Sequence, residues 1–271
     1  MKVVLFCGGL GTRLREHSDT VPKPLVNVGF RPIIWHLMHW YASYGHKEFI
    51  LCLGYRGDMI RRYFLDYQEA MTNDFTLHAS DGRVELHSRD LDDWKITFVD
   101  TGLHSNIGQR LLRVRQYVEQ EEVFLANYSD GLTDLPLDRQ LEAFAKSDMV
   151  ATFASVRSDQ SFHVVQADDD GVVNAVGLMP DQELWVNGGF FALRPEIFDY
   201  MEDGDELVEQ PFARLIAERK LSTFRWNGFW KCMDTFRDKI AFDRMEARGN
   251  CPWMSWRRHP MHAPLSRSDS T

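Results

Sequence analysis

The stretch Lys2-Val3-Val4-Leu5-Phe6-Cys7-Gly8-Gly9-Leu10-Gly11-Thr12-Arg13-Leu14 decides the fold. Residues 2–7 are a short, unbroken apolar run of the kind buried on both faces of a parallel sheet. The glycines that follow let backbone N–H groups point into a cavity and let the chain approach a bulky anion. Two familiar phosphate loops do not fit. A P-loop needs Gly-Lys-Ser/Thr after four spacer residues, and a dinucleotide loop needs a third glycine where Leu14 stands. A bare glycine turn between strand and helix is the alternative reading.

Working outward, apolar runs alternate with helical spacing. Residues 31–44 (RPIIWHLMHWYASY) read as a helix ending at Gly45, residues 48–53 as a second strand and 58–67 as a helix. Residues 95–99, 109–118 and 123–128 continue as strand, helix, strand. This alternation predicts an α/β fold: a Rossmann-like, mixed and mainly parallel sheet with helices on both faces. Residues 149–156, 163–168, 172–178 and 185–192 turn toward strands, with a hairpin connection at 168–171, and predict a smaller β-rich lobe. Helices are expected over 207–218 and 235–248. Residues 1–256 are read as one domain in two parts, about 1–145 and about 146–240. Residues 257–271 are a polar tail.

The chain has 271 residues, and its 31 Lys+Arg against 40 Asp+Glu give a net charge of −9. That balance argues against a nucleic-acid partner. No run approaches the roughly 20 apolar residues of a membrane span, no signal peptide is evident, and Cys7, Cys52, Cys232 and Cys251 form no CxxC pair. A cytoplasmic protein with reduced thiols is expected.

Lys23 stands between Pro22 and Pro24, twelve residues after Gly11, so its ammonium is expected on a stiff extended segment. With Arg13 it could neutralise a triphosphate, since phosphoryl and nucleotidyl transfer depend on positioning and charge neutralisation. Asp130 follows the strand at 123–128 and precedes Gly131, so it reads as a strand-end ligand or as a turn former. Asp234 precedes a helix and could be a ligand, or it or Thr235 could cap that helix, with Asp238 completing a capping box. Asp100, Asp134 and Asp238 read as structural. His36 and His39 lie three apart on an aromatic-rich helix and read as packed or surface histidines, not a metal site.

GGLGTRL with PKPLV resembles the signature of the sugar-1-phosphate nucleotidylyltransferases. The likeness continues through residues 32–36 (PIIWH), 52–57 (CLGYRG), 100–102 (DTG), Asp130-Gly131, 187–191 (NGGFF) and 228–239 (GFWKCMDTFRDK). Within that family it is nearest the branch that uses CTP and glucose 1-phosphate, down to Cys251-Pro252-Trp253. The resemblance implies Mg²⁺ on Asp130 and Asp234, Arg13 on the β- and γ-phosphates and Lys23 at the α-phosphate. It implies Gly8, Gly9, Gly11 and Thr12 at the base and ribose, and Tyr55, Ser105 and Arg110 near the nucleotide. Asn187 and Gly188 would meet the sugar. Tyr55 could equally be packing, and Arg110 a solvated helix residue. A homo-oligomer, of which a hexamer is one form, is also implied.

Three positions depart from the pattern. The family's acceptor lysine is Met179, its arginine-phenylalanine-glycine stretch reads Gln160-Ser161-Phe162-His163, and a threonine before Gly108 is Ile107. A shifted acceptor, such as a modified sugar or cyclitol phosphate, would account for this. So would a substitute cation such as His163 or Arg157, or a catalytically silent nucleotide binder. Another triphosphate (UTP, dTTP, ATP or GTP) is the alternative to CTP.

Overall fold

The structure is a computed structural model that describes residues 1–9, 21–91, 93–157, 163–168, 170, 172–178 and 184–257. Its spine is one mixed sheet of eight strands: β1 (Lys2–Phe6), β2 (Glu48–Leu53), β3 (Lys95–Asp100), β4 (Phe124–Tyr128), β5 (Ala151–Arg157), β6 (Trp185–Asn187), β7 (Phe191–Leu193) and β8 (Leu221–Trp226). β1 lies between β2 and β4, and β3 flanks β2, all parallel. β7 joins β4 to β5 antiparallel, β6 continues along β5, and β8 pairs with β5 in parallel. The expected α/β architecture with a mixed, mainly parallel sheet is thus present.

Period-two alternation divides the core between the two faces. Val3, Leu5, Phe49, Leu51 and Leu125 join one cluster, and Val4, Phe6, Ile50, Phe124 and Ala126 join the other. The first face is covered by α1 (Ile33–Ser43) and α2 (Gly57–Leu65). α3 (Ile107–Arg113) and α4 (Arg115–Val118) cover the second. α5 (Leu137–Ala145) returns to the first face, α6 (Gln210–Ala217) to the second, and α7 (Phe236–Ala247) to the first.

Several boundaries differ from the sequence reading. Arg31–Pro32 pairs with Asn27–Val28, so the helix starts at Ile33, where a proline no longer has to donate. The helix expected over 109–118 starts earlier and breaks at Val114 into α3 and α4. The single strand expected over 185–192 is two, because Gly189 and Phe190 both adopt positive φ (78° and 51°) between them. The ribbon Phe75–His78 with Arg83–Leu86 went unread in the sequence, although both strands alternate apolar with polar residues around Asp81-Gly82; both of its faces are largely exposed. The strands on either side of the expected hairpin do pair, His163–Ala167 with Val173–Leu178, and Asp168 accepts from the Val172 amide.

Residues 253–256 are packed, because Trp253 is fully buried and donates from Nε1 to His36 Nδ1 at 3.3 Å. His36 Nε2 lies 3.0 Å from the Val28 carbonyl, which leaves the ring neutral with its proton on Nε2. The packed-histidine reading therefore holds. Burial lowers the His36 pKa to about 4, well below the ordinary 6.5. An unfolded chain binds this proton below pH 6.5 while the native chain resists it down to about 4. The stabilisation is therefore complete above 6.5 and is lost as pH falls toward 4. His46 is lowered likewise. At pH 5 the His36 share comes to about 2 kcal/mol. A His36→Gln variant should lose that much less stability than the parent between pH 7 and pH 5 in urea titrations.

Candidate active site

Parallel strands share a direction, so the residues after β1, β2, β3 and β4 meet at one edge, where open α/β sheets bind ligands. Two glycines make the convergence possible. A Cβ on Gly8 would lie 2.0 Å from Arg110 Nη1, and one on Gly54 would lie 2.8 Å from the Gly8 carbonyl oxygen. Gly9 is exposed beside Gly8, whereas Gly11, Thr12 and Arg13 lie outside the described residues.

Arg110 is not a solvated helix residue. It is 2 % exposed and donates to the carbonyls of Leu53 (3.2 Å), Gly102 (3.0 Å) and Gly8 (3.0 Å) and to Thr101 Oγ1 (2.8 Å). One guanidinium thus pins the loops after β1, β2 and β3. Ser105 stands in the same loop cluster, donating to the Thr101 carbonyl (2.5 Å) and accepting from Arg113 (2.7 Å). Tyr55 is half-buried, with its amide 3.4 Å from the Gly8 carbonyl and its hydroxyl accepting from Arg56 (3.1 Å).

The centre of the edge is a three-residue cluster. Lys23 Nζ sits 2.5 Å from Asp130 Oδ2 and 2.6 Å from Asp234 Oδ1. Lys23 opens a single 3-10 turn (Lys23–Leu25), not the extended segment expected. Pro22 is extended before it, and the Pro22 carbonyl accepts from Leu25 at 2.8 Å. The prolines still stiffen the segment. Burial alone would lower the lysine pKa, but the two carboxylates outweigh it and hold the ammonium above its ordinary range.

A small ribbon brings the two acids together. Gly131–Thr133 pairs antiparallel with Trp230–Cys232, so Gly131 faces Cys232, and Asp130 and Asp234 flank the same end. The Met233 amide donates to the Asp130 carbonyl at 2.9 Å and closes it. The cap of α7 is Thr235, whose hydroxyl accepts from the Asp238 amide (3.3 Å) while Asp238 accepts from the Thr235 amide (2.8 Å). Asp234 is therefore excused from capping, and its carboxylate faces Lys23. Thr235→Ala should cost about 1 kcal/mol of stability, measurable by thermal unfolding. Asp134 and Asp100 are structural as expected: the first accepts from Trp226 Nε1 (2.8 Å) and the Phe229 amide (2.7 Å), the second from the Gly102 amide (2.9 Å).

Asn187 lies beside this cluster. Its Oδ1 accepts from the Gly189 amide (2.9 Å), and its Nδ2 is 3.4 Å from the Tyr128 hydroxyl, two residues before Asp130. The Gly188 carbonyl accepts from Trp230 Nε1 at 2.9 Å, tying this segment to the ribbon. Sequence reasoning missed Gly54, Tyr128 and Trp230. For Gly54 the signal was present, a glycine at the end of a buried strand.

Two carboxylates converging on one cationic head are hard oxygen donors of the kind Mg²⁺ takes, with substrate phosphates and waters completing its shell. Among the described residues no group of three or more His, Cys, Asp or Glu could hold a metal ion. These donors therefore fit an ion bound jointly with phosphate, not one caged by protein alone.

A mainly parallel sheet with a glycine loop and a charged cluster at its carboxyl edge defines an α/β enzyme that handles a polyanionic substrate. The chain belongs to the nucleotidyl transferase family, whose model matches residues 2–227. It is 37 % identical over 258 residues to the glucose-1-phosphate cytidylyltransferases of Salmonella typhi and Salmonella typhimurium, covering 94 % of this chain and the whole of each relative. Among solved structures, HddC from Yersinia pseudotuberculosis shares the fold, with a TM-score of 0.63 at 20 % identity over 90 % of this chain and 99 % of that one.

Proposed function

We propose that the protein transfers CMP from CTP to a sugar 1-phosphate, giving a CDP-sugar and pyrophosphate. The observation that carries the reading is Lys23 held between Asp130 and Asp234 at the carboxyl edge of the sheet. The two cytidylyltransferase relatives support the choice of CTP and of glucose 1-phosphate, while the departures at Met179, residues 160–163 and Ile107 are the ground for a modified sugar or cyclitol phosphate as the other acceptor.

In this reading an acceptor phosphate oxygen forms a bond to the α-phosphorus in line with the bond to the β-phosphate bridge. That bond breaks, and pyrophosphate leaves with its electron pair. The attacking phosphate is already ionised, so no general base is needed. Lys23 is assigned to the charge developing at the α-phosphate and Arg13 to the β- and γ-phosphates. Gly8, Gly9, Gly11 and Thr12 would line the base and ribose, with Tyr55 and Ser105 nearby. Arg110 would act by fixing the loop that carries Gly8. Asn187 and Gly188 would meet the sugar. Asp130 and Asp234 would hold Mg²⁺, which when bound supplies charge neutralisation on the phosphates.

Residues 1–145 are assigned to the nucleotide and 146–240 to the acceptor. No helix among the described residues is long and apolar enough to cross a membrane, which accords with the proposed cytoplasmic location. A homo-oligomer is proposed as well. Phe30 (93 % exposed) and Leu65 (78 %) are large apolar side chains that such contacts would cover.

A pyrophosphate-release screen crossing CTP, UTP, dTTP, ATP and GTP with a panel of sugar 1-phosphates tests the reading. Release with CTP is the expected result. Tight triphosphate binding with no release from any pair would instead mark a silent nucleotide binder.

A further inference from the structure

Beyond Asn187, the sheet carries a second row of chemistry that the reaction described above does not use. β5 continues past the carboxyl end of β4 and pairs there with β6, with Asn187 opposite Ser155 and Trp185 opposite Arg157. On the other side of β5, Ser155 lies opposite Arg225 of β8. Opposed residues share a sheet face, so Asn187, Ser155 and Arg225 form one row, and Trp185 and Arg157 the next. Both guanidinium carbons lie over the Trp185 ring, Arg157 at 5.6 Å and Arg225 at 5.4 Å from its centroid. The indole thus positions both cations around one ring by cation–π attraction.

Two features mark these rows as a binding surface. Among the described residues no carboxylate pairs with Arg157 or Arg225, in a chain of net charge −9 whose other cations are widely paired. Ser155 is 5 % exposed, and its hydroxyl has no hydrogen-bond partner among the described residues. Buried hydroxyls are costly to leave unpaired, so a group that accepts from or donates to Ser155 is called for.

The geometry points to an anion clamp for the acceptor: Arg157 and Arg225 hold a second negatively charged group, carried at the end of the sugar or cyclitol ring remote from the reacting phosphate. The spacing fits. Trp185 is two residues beyond Asn187, roughly 7 Å along the strand, about the width of a pyranose ring. Carboxylates and phosphates both match paired guanidinia, so the shared chemistry is a second anion, as in a uronic acid 1-phosphate or a hexose bisphosphate. The inference rests on the nucleotidylyl-transfer reading above for what occupies the space beside Asn187.

The test is equilibrium binding of glucose 1-phosphate, glucuronic acid 1-phosphate and glucose 1,6-bisphosphate. Each is titrated by calorimetry into the full-length protein saturated with α,β-methylene-CTP and Mg²⁺. The wild type should bind at least one bis-anionic acceptor about tenfold or more tighter than glucose 1-phosphate, and which one it prefers separates carboxylate from phosphate. The double variant Arg157→Gln/Arg225→Gln should collapse that ratio toward one, and Arg225→Glu should invert it. Both side chains are exposed, so folding is checked simply by the melting temperature. Equal binding of all three acceptors by the wild type, or a ratio that survives the double variant, overturns the clamp. Because binding is read without turnover, the clamp is judged even if no pyrophosphate is released in the parallel screen. Release without preference sinks the clamp alone, and preference without release sinks only the transfer reading.

Discussion

Asp130→Asn should lower pyrophosphate release by about three orders of magnitude while leaving the melting temperature nearly unchanged. The carboxylate is 2.5 Å from Lys23 and is one of two acids at the carboxyl edge of the sheet. Asparagine keeps its shape but removes the charge, and with it the hard anionic oxygen that a divalent cation prefers over an amide. The backbone is held independently, because the Asp130 carbonyl accepts from Met233 and Gly131 pairs with Cys232 whatever the side chain. Loss of one preorganised electrostatic group at a reacting phosphate is worth about 10²–10³ in rate, and a ligand shared with a metal lies at the upper end. Steady-state kcat with CTP, beside circular dichroism melts, is the measurement. A variant with near-normal turnover would remove Asp130 from the site.

Lys23→Ala is expected to be as severe, with a different signature. Removing the ammonium leaves Asp130 and Asp234 facing one another without a cation between them, since both are within 2.6 Å of the same nitrogen. Like charges at that spacing repel, so the empty pair should gain affinity for a small cation. Turnover should fall about a thousandfold, while Mn²⁺ binding to the nucleotide-free protein, read by electron paramagnetic resonance, should tighten relative to wild type. Asp130→Asn should weaken it, so the two variants diverge in metal binding although they agree in rate. Because all three groups act as one unit, the double variant should be scarcely slower than either single one. Additive losses, or Mn²⁺ binding unaffected by Lys23→Ala, would separate the lysine from the acids.

Much of this was legible in the chain because the deciding signals are local. The run Val3–Phe6 and the glycine after it dictate a buried strand feeding a tight loop, and the structure places them at the middle of the sheet. Lys23, Asp130 and Asp234 could each be singled out locally, but their convergence was implied only by the family resemblance, not by any local signal. It depends on a ribbon joining segments about a hundred residues apart, and no periodicity encodes a register of that length. Asp234 shows the limit well. Two adjacent residues could cap the helix, and only geometry assigns the cap to Thr235. Arg110 shows the opposite case. Its helical spacing suited a solvated face, yet the carbonyls left at three strand ends needed a donor, and a buried guanidinium supplies it. The row of Ser155, Arg157 and Arg225 was invisible for a related reason. It exists only through cross-strand pairing with β6 and β8, and β8 itself was not read from the sequence.

The ribbon between Gly131 and Cys232 also bears on when the enzyme becomes active. The contact closes a loop spanning much of the chain, so its entropy cost falls late, after the local helices and neighbouring strands have formed. A refolding molecule should therefore regain far-ultraviolet ellipticity before it regains affinity for triphosphate. A nascent chain released just short of Asp234 would carry all eight strands of the sheet yet remain inert toward nucleotide. Catalytic competence is in this sense a checkpoint on completeness: the substrate is gripped only by a molecule whose last quarter has come home.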